Sequence, residues 1–295
     1  MKIKKIGKLS VKYRITGWIF IIPALLFICF SKFLPMIEAL ILSFKKGMAA
    51  NLTFAGFDNY IRLFKDQSFL VALKNTMIYF VLQVPLMLFL ALIFAVMLNN
   101  KFLKFKGIYR TLIFLPCITA VVSYSLVFRS MFMTNGMINT FLQKIHLISE
   151  PINWLGDAWL ARIVVVLAVT WRWTGYNTMF YLAGLQSIDH EIYEAAIIDG
   201  STPVKTFFHI TIPLLRPMIL LTAISSTNGI IQLFAEPRNI TYCGPANATI
   251  ALSNYIYQLS FEFVPKFGYA AAISYVVFII IAILALVQMK VGDKR

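Results

Sequence analysis

Two stretches of the chain carry side chains whose types and spacing suit work on a solute. The first is Trp171-Arg172-Trp173, followed by Tyr176, Asn177 and Phe180, within a mostly apolar run. An arginine deep in a membrane helix costs roughly 2.5–3.5 kcal/mol on insertion scales, so Arg172 needs a partner or a water-filled cavity. Trp173, Asn177 and Phe180 fall at i, i+4 and i+7 and share one helix face. Aromatic planes stack on the C–H faces of sugars, and an amide both donates to and accepts from hydroxyls. The same residue types also anchor helices at a membrane interface. The second stretch holds Thr222, Ser225, Ser226, Thr227, Asn228, Gly229 and Gln232. Ser225 and Gly229, four apart, suit helix packing in lipid. Asn228 and Gln232 are costlier to bury and join Arg172, Trp173, Tyr176, Asn177 and Phe180 as candidates for a solute path. Beyond them, Glu236 and Arg238 are close enough in sequence to pair with each other.

A third stretch is suited to docking. Glu194-Ala195-Ala196-Ile197-Ile198-Asp199-Gly200 is followed by Ile210-Thr211-Ile212-Pro213-Leu214. Asp189 is placed to cap a helix over His190 to Asp199, and Gly200 to end it in a left-handed turn. Thr202 before Pro203 reads as the start of a second short helix, which Pro213 closes as the next apolar run begins. Ala195 and Ala196 are small enough to admit a foreign backbone, with Glu194 and Asp199 offering charge at the edge. An ordinary amphipathic loop would carry similar residues.

These stretches must be positioned by membrane helices. The chain has 295 residues, 60% hydrophobic and only 13% charged, about half the usual globular share of charge. Six apolar runs of spanning length occur, at roughly 16–43, 69–98, 108–132, 161–185, 213–235 and 267–289. The expected fold is all-α, with Pro23, Pro35 and Pro85 as candidate breaks. A basic tail (1–15), a membrane domain (16–290) and a short tail (291–295) follow, with the docking loop at about 187–213.

Lys2, Lys4, Lys5, Lys8, Lys12 and Arg14, then Lys101, Lys104, Lys106 and Arg110, then Lys290, Lys294 and Arg295 fall on one side of such a six-span chain. Positive residues mark the cytoplasmic side, so both termini are expected there. The apolar run continues past Lys32 and Pro35, too long for the core of a cleaved secretory signal. The net charge of +15 reflects these flanks, without the basic groove and interleaved aromatics of a nucleic-acid binder. His146, His190 and His209 have no ligand spacing, and neither do Cys29, Cys117 and Cys243, so no metal site is expected. The sequence contains no G-x-x-x-x-G-K-[ST] loop and no Ser/His/Asp set, which argues against ATP binding by that loop and against catalysis.

Several segments form an ordered series along the chain: Trp18 to Ala24, Leu34-Pro35 through Phe44, Gly56 to Tyr60 with Asn75-Thr76, Tyr109 to Thr111 with Phe114 to Pro116, and Gly136 to Asn139. Gly184 to Ile188, the Glu194 to Gly200 loop and Gly268 to Ala272 complete it. Taken in this order, they resemble bacterial carbohydrate ABC importer permeases of the maltose, lactose and glycerol-phosphate type. Cys243-Gly244-Pro245 departs from the usual Gly-Gly-Pro, and no large insert separates the third and fourth runs.

The resemblance implies a type I importer permease with six spans and cytoplasmic coupling helices in the bacterial cell membrane. It implies ATPase coupling through Glu194, Ala195, Ala196, Asp199 and Gly200. The implied partners are a second homologous permease, two ATPase subunits that bind the ATP and Mg, an extracytoplasmic sugar-binding lipoprotein, the sugar and membrane lipid. No cofactor is expected on this chain. A permease for a non-sugar solute and an ion-coupled secondary carrier remain the alternatives.

Overall fold

The computed structural model describes residues 8–48, 51–100 and 102–292. Lys2, Lys4, Lys5, Lys101, Lys294 and Arg295, on which the expected sidedness partly rests, lie outside the described residues. The described chain is predominantly helical and packs as two compact units.

The first unit comprises the chain up to Arg62 together with Leu259–Tyr275. It opens with α1 (Lys8–Ile28) and α2 (Leu34–Ser43), joined by a wide π-turn at Cys29–Phe33. The turn lies just before Pro35, where the Leu34 N–H reaches back to the Cys29 carbonyl. Widening the turn in this way accommodates a proline ring that would clash with an ordinary helical carbonyl. Pro23 sits inside α1 without ending it. A hairpin follows, with β1 (Lys45–Met48) antiparallel to β2 (Asn51–Phe54). Helix α3 (Asp58–Leu63) then carries Asn59, whose Nδ2 donates to the carbonyls of Ser43 and Lys45, both at 2.8 Å. Thus the end of α2 is closed by the asparagine of the Gly56–Tyr60 segment.

The second unit comprises Leu63–Gln258 and the chain from Val276 onward. At its centre lie α4 (Gln67–Asn99) and α8 (Ala158–Gln186). The buried face of α4 recurs every three or four residues through Ala72, Thr76, Tyr79, Gln83, Met87 and Ala91, a helical period. Ala91, Ala95, Tyr181, Leu182, Leu185 and Leu215 form one core cluster. Helix α4 runs through Pro85 unbroken, contrary to expectation, since neighbouring helices hold a proline-containing turn in place.

Around this pair lie α5 (Lys106–Ile118), α6 (Val121–Phe132) and α7 (Met137–Lys144). The expected third span is bent by 96° where α5 meets the helices that follow it. Gly175 marks the crossing of α5 and α8. A Cβ there would lie 1.9 Å from the Ile113 carbonyl oxygen, so only glycine permits this approach.

The rest of the unit comprises α9 (His190–Ile198), α10 (Pro203–Thr206), α11 (Ile212–Ile231), α12 (Ala235–Thr241) and α13 (Leu252–Tyr257). The last helix, α14 (Phe267–Gly292), begins in the first unit and ends in the second.

Among the described residues, four helical stretches qualify by length and apolarity as membrane spans, Ile15–Ser43, Gln67–Asn99, Pro203–Ile231 and Phe267–Gly292, and the bent pair would make a fifth. The expected fourth span is α8, which has 29 residues but a polar middle. Because α4, α5, α6, α11 and α12 pack against it, α8 does not need a lipid-compatible surface on every side. The expected fifth span ends early, at Ile231, where the chain turns into α12.

Candidate functional site

The polar residues of α8 and α11 meet at a cavity of ≈ 360 Å³ inside the second unit, within the usual range of about 300–1,000 Å³ for small-molecule sites. Arg172, Trp173, Tyr176 and Asn177 contribute one wall and Ser225, Ser226, Gly229 and Gln232 another. Gln83 and Met87 of α4 and Phe234 and Glu236 beyond α11 also line it, together with apolar residues that include Val121 and Val169. Of the expected path residues, five therefore line one cavity: Arg172, Trp173, Tyr176, Asn177 and Gln232. Phe180 and Asn228 stand outside it. Phe180 continues an aromatic row, its ring 5.0 Å from that of Tyr176, which lies 5.7 Å from Trp173. Asn228 accepts from the Gln232 amide one turn away. Asn177 is buried, and its Nδ2 donates to the Trp173 carbonyl at 3.0 Å.

Arg172 has its partner. Its Nη1 lies 3.6 Å from Glu236 Oε1, with the two side chains 18% and 5% exposed. The Tyr124 hydroxyl donates to the same carboxylate oxygen. The guanidinium also lies 5.2 Å from the ring centre of Tyr124 and 5.1 Å from that of Trp173. Glu236 was expected to pair with Arg238, its near neighbour in sequence. Instead the chain turn after Ile231 brings Glu236 back to α8, while Arg238 lies over the rings of Phe234 and Tyr257. Gln83 and Glu236 were not singled out from sequence as cavity residues, nor was Tyr124 as the partner of Glu236. A lone amide or acid in or just beyond an apolar run was the available signal.

Ser225, Asn228 and Gly229 are exposed on one side of α11, and Gln232, just past its end, is exposed in line with them. A polar stripe on a membrane helix faces water or another protein, because lipid offers it no partners.

At the other end of α11 lies the Glu194–Gly200 loop. Asp189 has the extended backbone of a cap, but its side chain makes no capping bond. Gly200 ends α9 at φ +71°, with Gly200 N–H on the Ile197 carbonyl (3.0 Å) and Ser201 N–H on that of Ala196 (2.9 Å). These two bonds with a left-handed glycine form a Schellman ending. Thr202 caps α10, its hydroxyl accepting from the Lys205 N–H at 3.4 Å.

The expected stop at Pro213 does not occur. A π-turn at Phe207–Thr211 accommodates that proline, so Pro203–Ile231 is one continuous helical stretch of 29 residues. At 1.5 Å per residue the stretch is about 43 Å long, the depth of a bilayer with its headgroups. Glu194, Ala195, Asp199 and Gly200 are exposed, whereas Ala196 is buried and faces inward. Ile197 (71% exposed) and Ile198 (85%) stand out beside them and were not anticipated as part of the surface.

Residues 67–292 match the model of the family described as "Binding-protein-dependent transport system inner membrane component". The lactose transport system permease protein LacF of Rhizobium radiobacter is 48% identical over 285 residues, 96% of each chain. The arabinooligosaccharides transport system permease protein AraP of Halalkalibacterium halodurans is 33% identical, over 95% of this chain and 90% of that one. The fold is shared with a chain from the crystal structure of a bacterial ABC transporter involved in the import of the acidic polysaccharide alginate. That match has TM-score 0.84 and 21% identity and covers 97% of both chains. The chain belongs to the family of inner membrane components of binding-protein-dependent transport systems. It is a transport permease subunit of an ABC importer, with the type I permease fold.

Proposed function

We infer that this permease imports saccharides and forms half of a translocation path whose other half is a second, homologous permease. Support for the substrate class comes from the cavity chemistry, aromatic planes beside amides and hydroxyls, and from relatives named for lactose and arabinooligosaccharides. The exposed polar stripe of α11 faces the partner permease across the path. Six spans are completed by α8 and by the bent α5–α6 pair, with both termini in the cytoplasm.

Two ATPase subunits, holding the ATP and Mg, drive the gate, one docking on each permease. On this chain the docking surface is Glu194, Ala195, Asp199 and Gly200, with Ile197 and Ile198. A binding lipoprotein delivers the saccharide from outside.

The observation that carries this reading is the continuity of Pro203–Ile231. One rod begins just beyond the exposed turn at Gly200 and ends at the cavity wall, so a push on the loop reaches the path. The alternative of an ion-coupled carrier calls for ionisable groups exposed in the path. Here the cavity's acid and base are paired with each other. The test is to purify the membrane complex through a tag on this chain and determine its composition by native mass spectrometry. A second permease and two ATPases are expected. A complex made only of copies of this chain would overturn the assignment.

A further inference from the structure

The charge state of the cavity points to the kind of saccharide it takes, on the reading that this cavity belongs to the path. Arg172 is its one cationic lining residue and Glu236 its one anionic residue, among the described residues. The two are 3.6 Å apart. The Tyr124 hydroxyl fixes the carboxylate from a third helix. The remaining polar lining, Gln83, Asn177, Ser225, Ser226 and Gln232, is uncharged.

We propose that Glu236 is a specificity residue. By cancelling Arg172 it keeps the cavity wall electroneutral, so that uncharged saccharides pass and carboxylated ones find no cation to repay their desolvation. An ionised carboxylate entering a low-dielectric site is strongly disfavoured unless it is paired. An arginine released from its glutamate is the side chain best shaped to pair with it.

The local potential can be read without knowing the sugar. Cys29, Cys117 and Cys243 are replaced by serine, and Ser225→Cys places one thiol on the cavity wall. The thiol is then reacted, in the purified complex, with methanethiosulfonate reagents carrying either a sulfonate or a trimethylammonium group. With Glu236 present, the ratio of anionic to cationic rates should lie within about threefold of that for a free cysteine thiol. Glu236→Gln, which keeps an acceptor for Tyr124, should raise the ratio by about tenfold or more, as an unpaired guanidinium draws the anion. Arg172→Gln combined with Glu236→Gln should return it to the starting value and controls for misfolding of the single variant. A ratio that already favours the anion tenfold with the pair intact, or that does not respond to Glu236→Gln, overturns the inference alone. Failure of both reagents to label Ser225→Cys would instead show that water does not reach this wall, which overturns the path reading and the inference with it.

Discussion

Arg172 and Glu236 are bound by an asymmetry of buried charge. Removing one partner leaves the other unpaired, which typically costs 3–5 kcal/mol, whereas removing both is far milder. Arg172→Ala is therefore expected to lower the thermal stability of the detergent-purified complex more than Arg172→Ala combined with Glu236→Ala. Thermal unfolding of both, compared with Glu236→Ala alone, gives the coupling. Additive losses would show that the pair carries no shared stabilisation. Transport should fall in all three, because each changes the wall of the cavity.

At this scale the sequence showed half of the site. The cost of Arg172 announced a partner, but proximity along the chain favoured Arg238 for Glu236. The actual pairing depends on the break after Ile231, and no local residue pattern marks where α11 turns back. Asn75 was visible only as part of a resembling segment. In the fold its Nδ2 donates to the carbonyls of Asn247 and Ile250, and its Oδ1 accepts from Arg162 Nε, so it fixes the segment that follows α12.

At the scale of elements, the turn between α9 and α10 was legible because its signals are local. Gly200 takes the left-handed conformation, and Thr202 with Pro203 starts the next helix, as those residue types dictate. The continuation through Pro213 was not legible, because whether a proline ends a helix or sits beyond a π-turn is decided by what packs around it. Pro35 and Pro213 both lie two residues beyond such a turn, while Pro85 needs none.

Gly200→Val is expected to impair transport through this element. Nothing lies within 4 Å of a Cβ built at Gly200, so the strain would be in the backbone alone. A β-branched residue in that region costs on the order of 1–3 kcal/mol, enough to distort the turn without unfolding the spans. The measurement is the ratio of saccharide uptake to ATP hydrolysis in assembled complexes. It should fall severalfold, and a ratio equal to that of the unaltered complex would contradict the coupling role.

For the whole molecule, the physical theme is which surfaces lipid can tolerate. The window of Ile15–Ser43 that is apolar enough to span has no residue buried within this chain, whereas α8 is largely enclosed and so can afford Arg172 and Asn177. Apolar runs therefore revealed most of the spans, and the polar exceptions within them revealed the cavity. The chain belongs to a family of membrane transport components, and what separates an ABC importer from a secondary carrier is whether ATP or an ion gradient drives uptake. The most direct test is saccharide uptake into proteoliposomes loaded with the purified complex, with the binding protein outside. Uptake should require ATP on the side of the ATPase subunits and persist when proton and sodium gradients are collapsed. Full-rate uptake by this chain and its partner permease without ATPase subunits, driven by either gradient, would contradict the account.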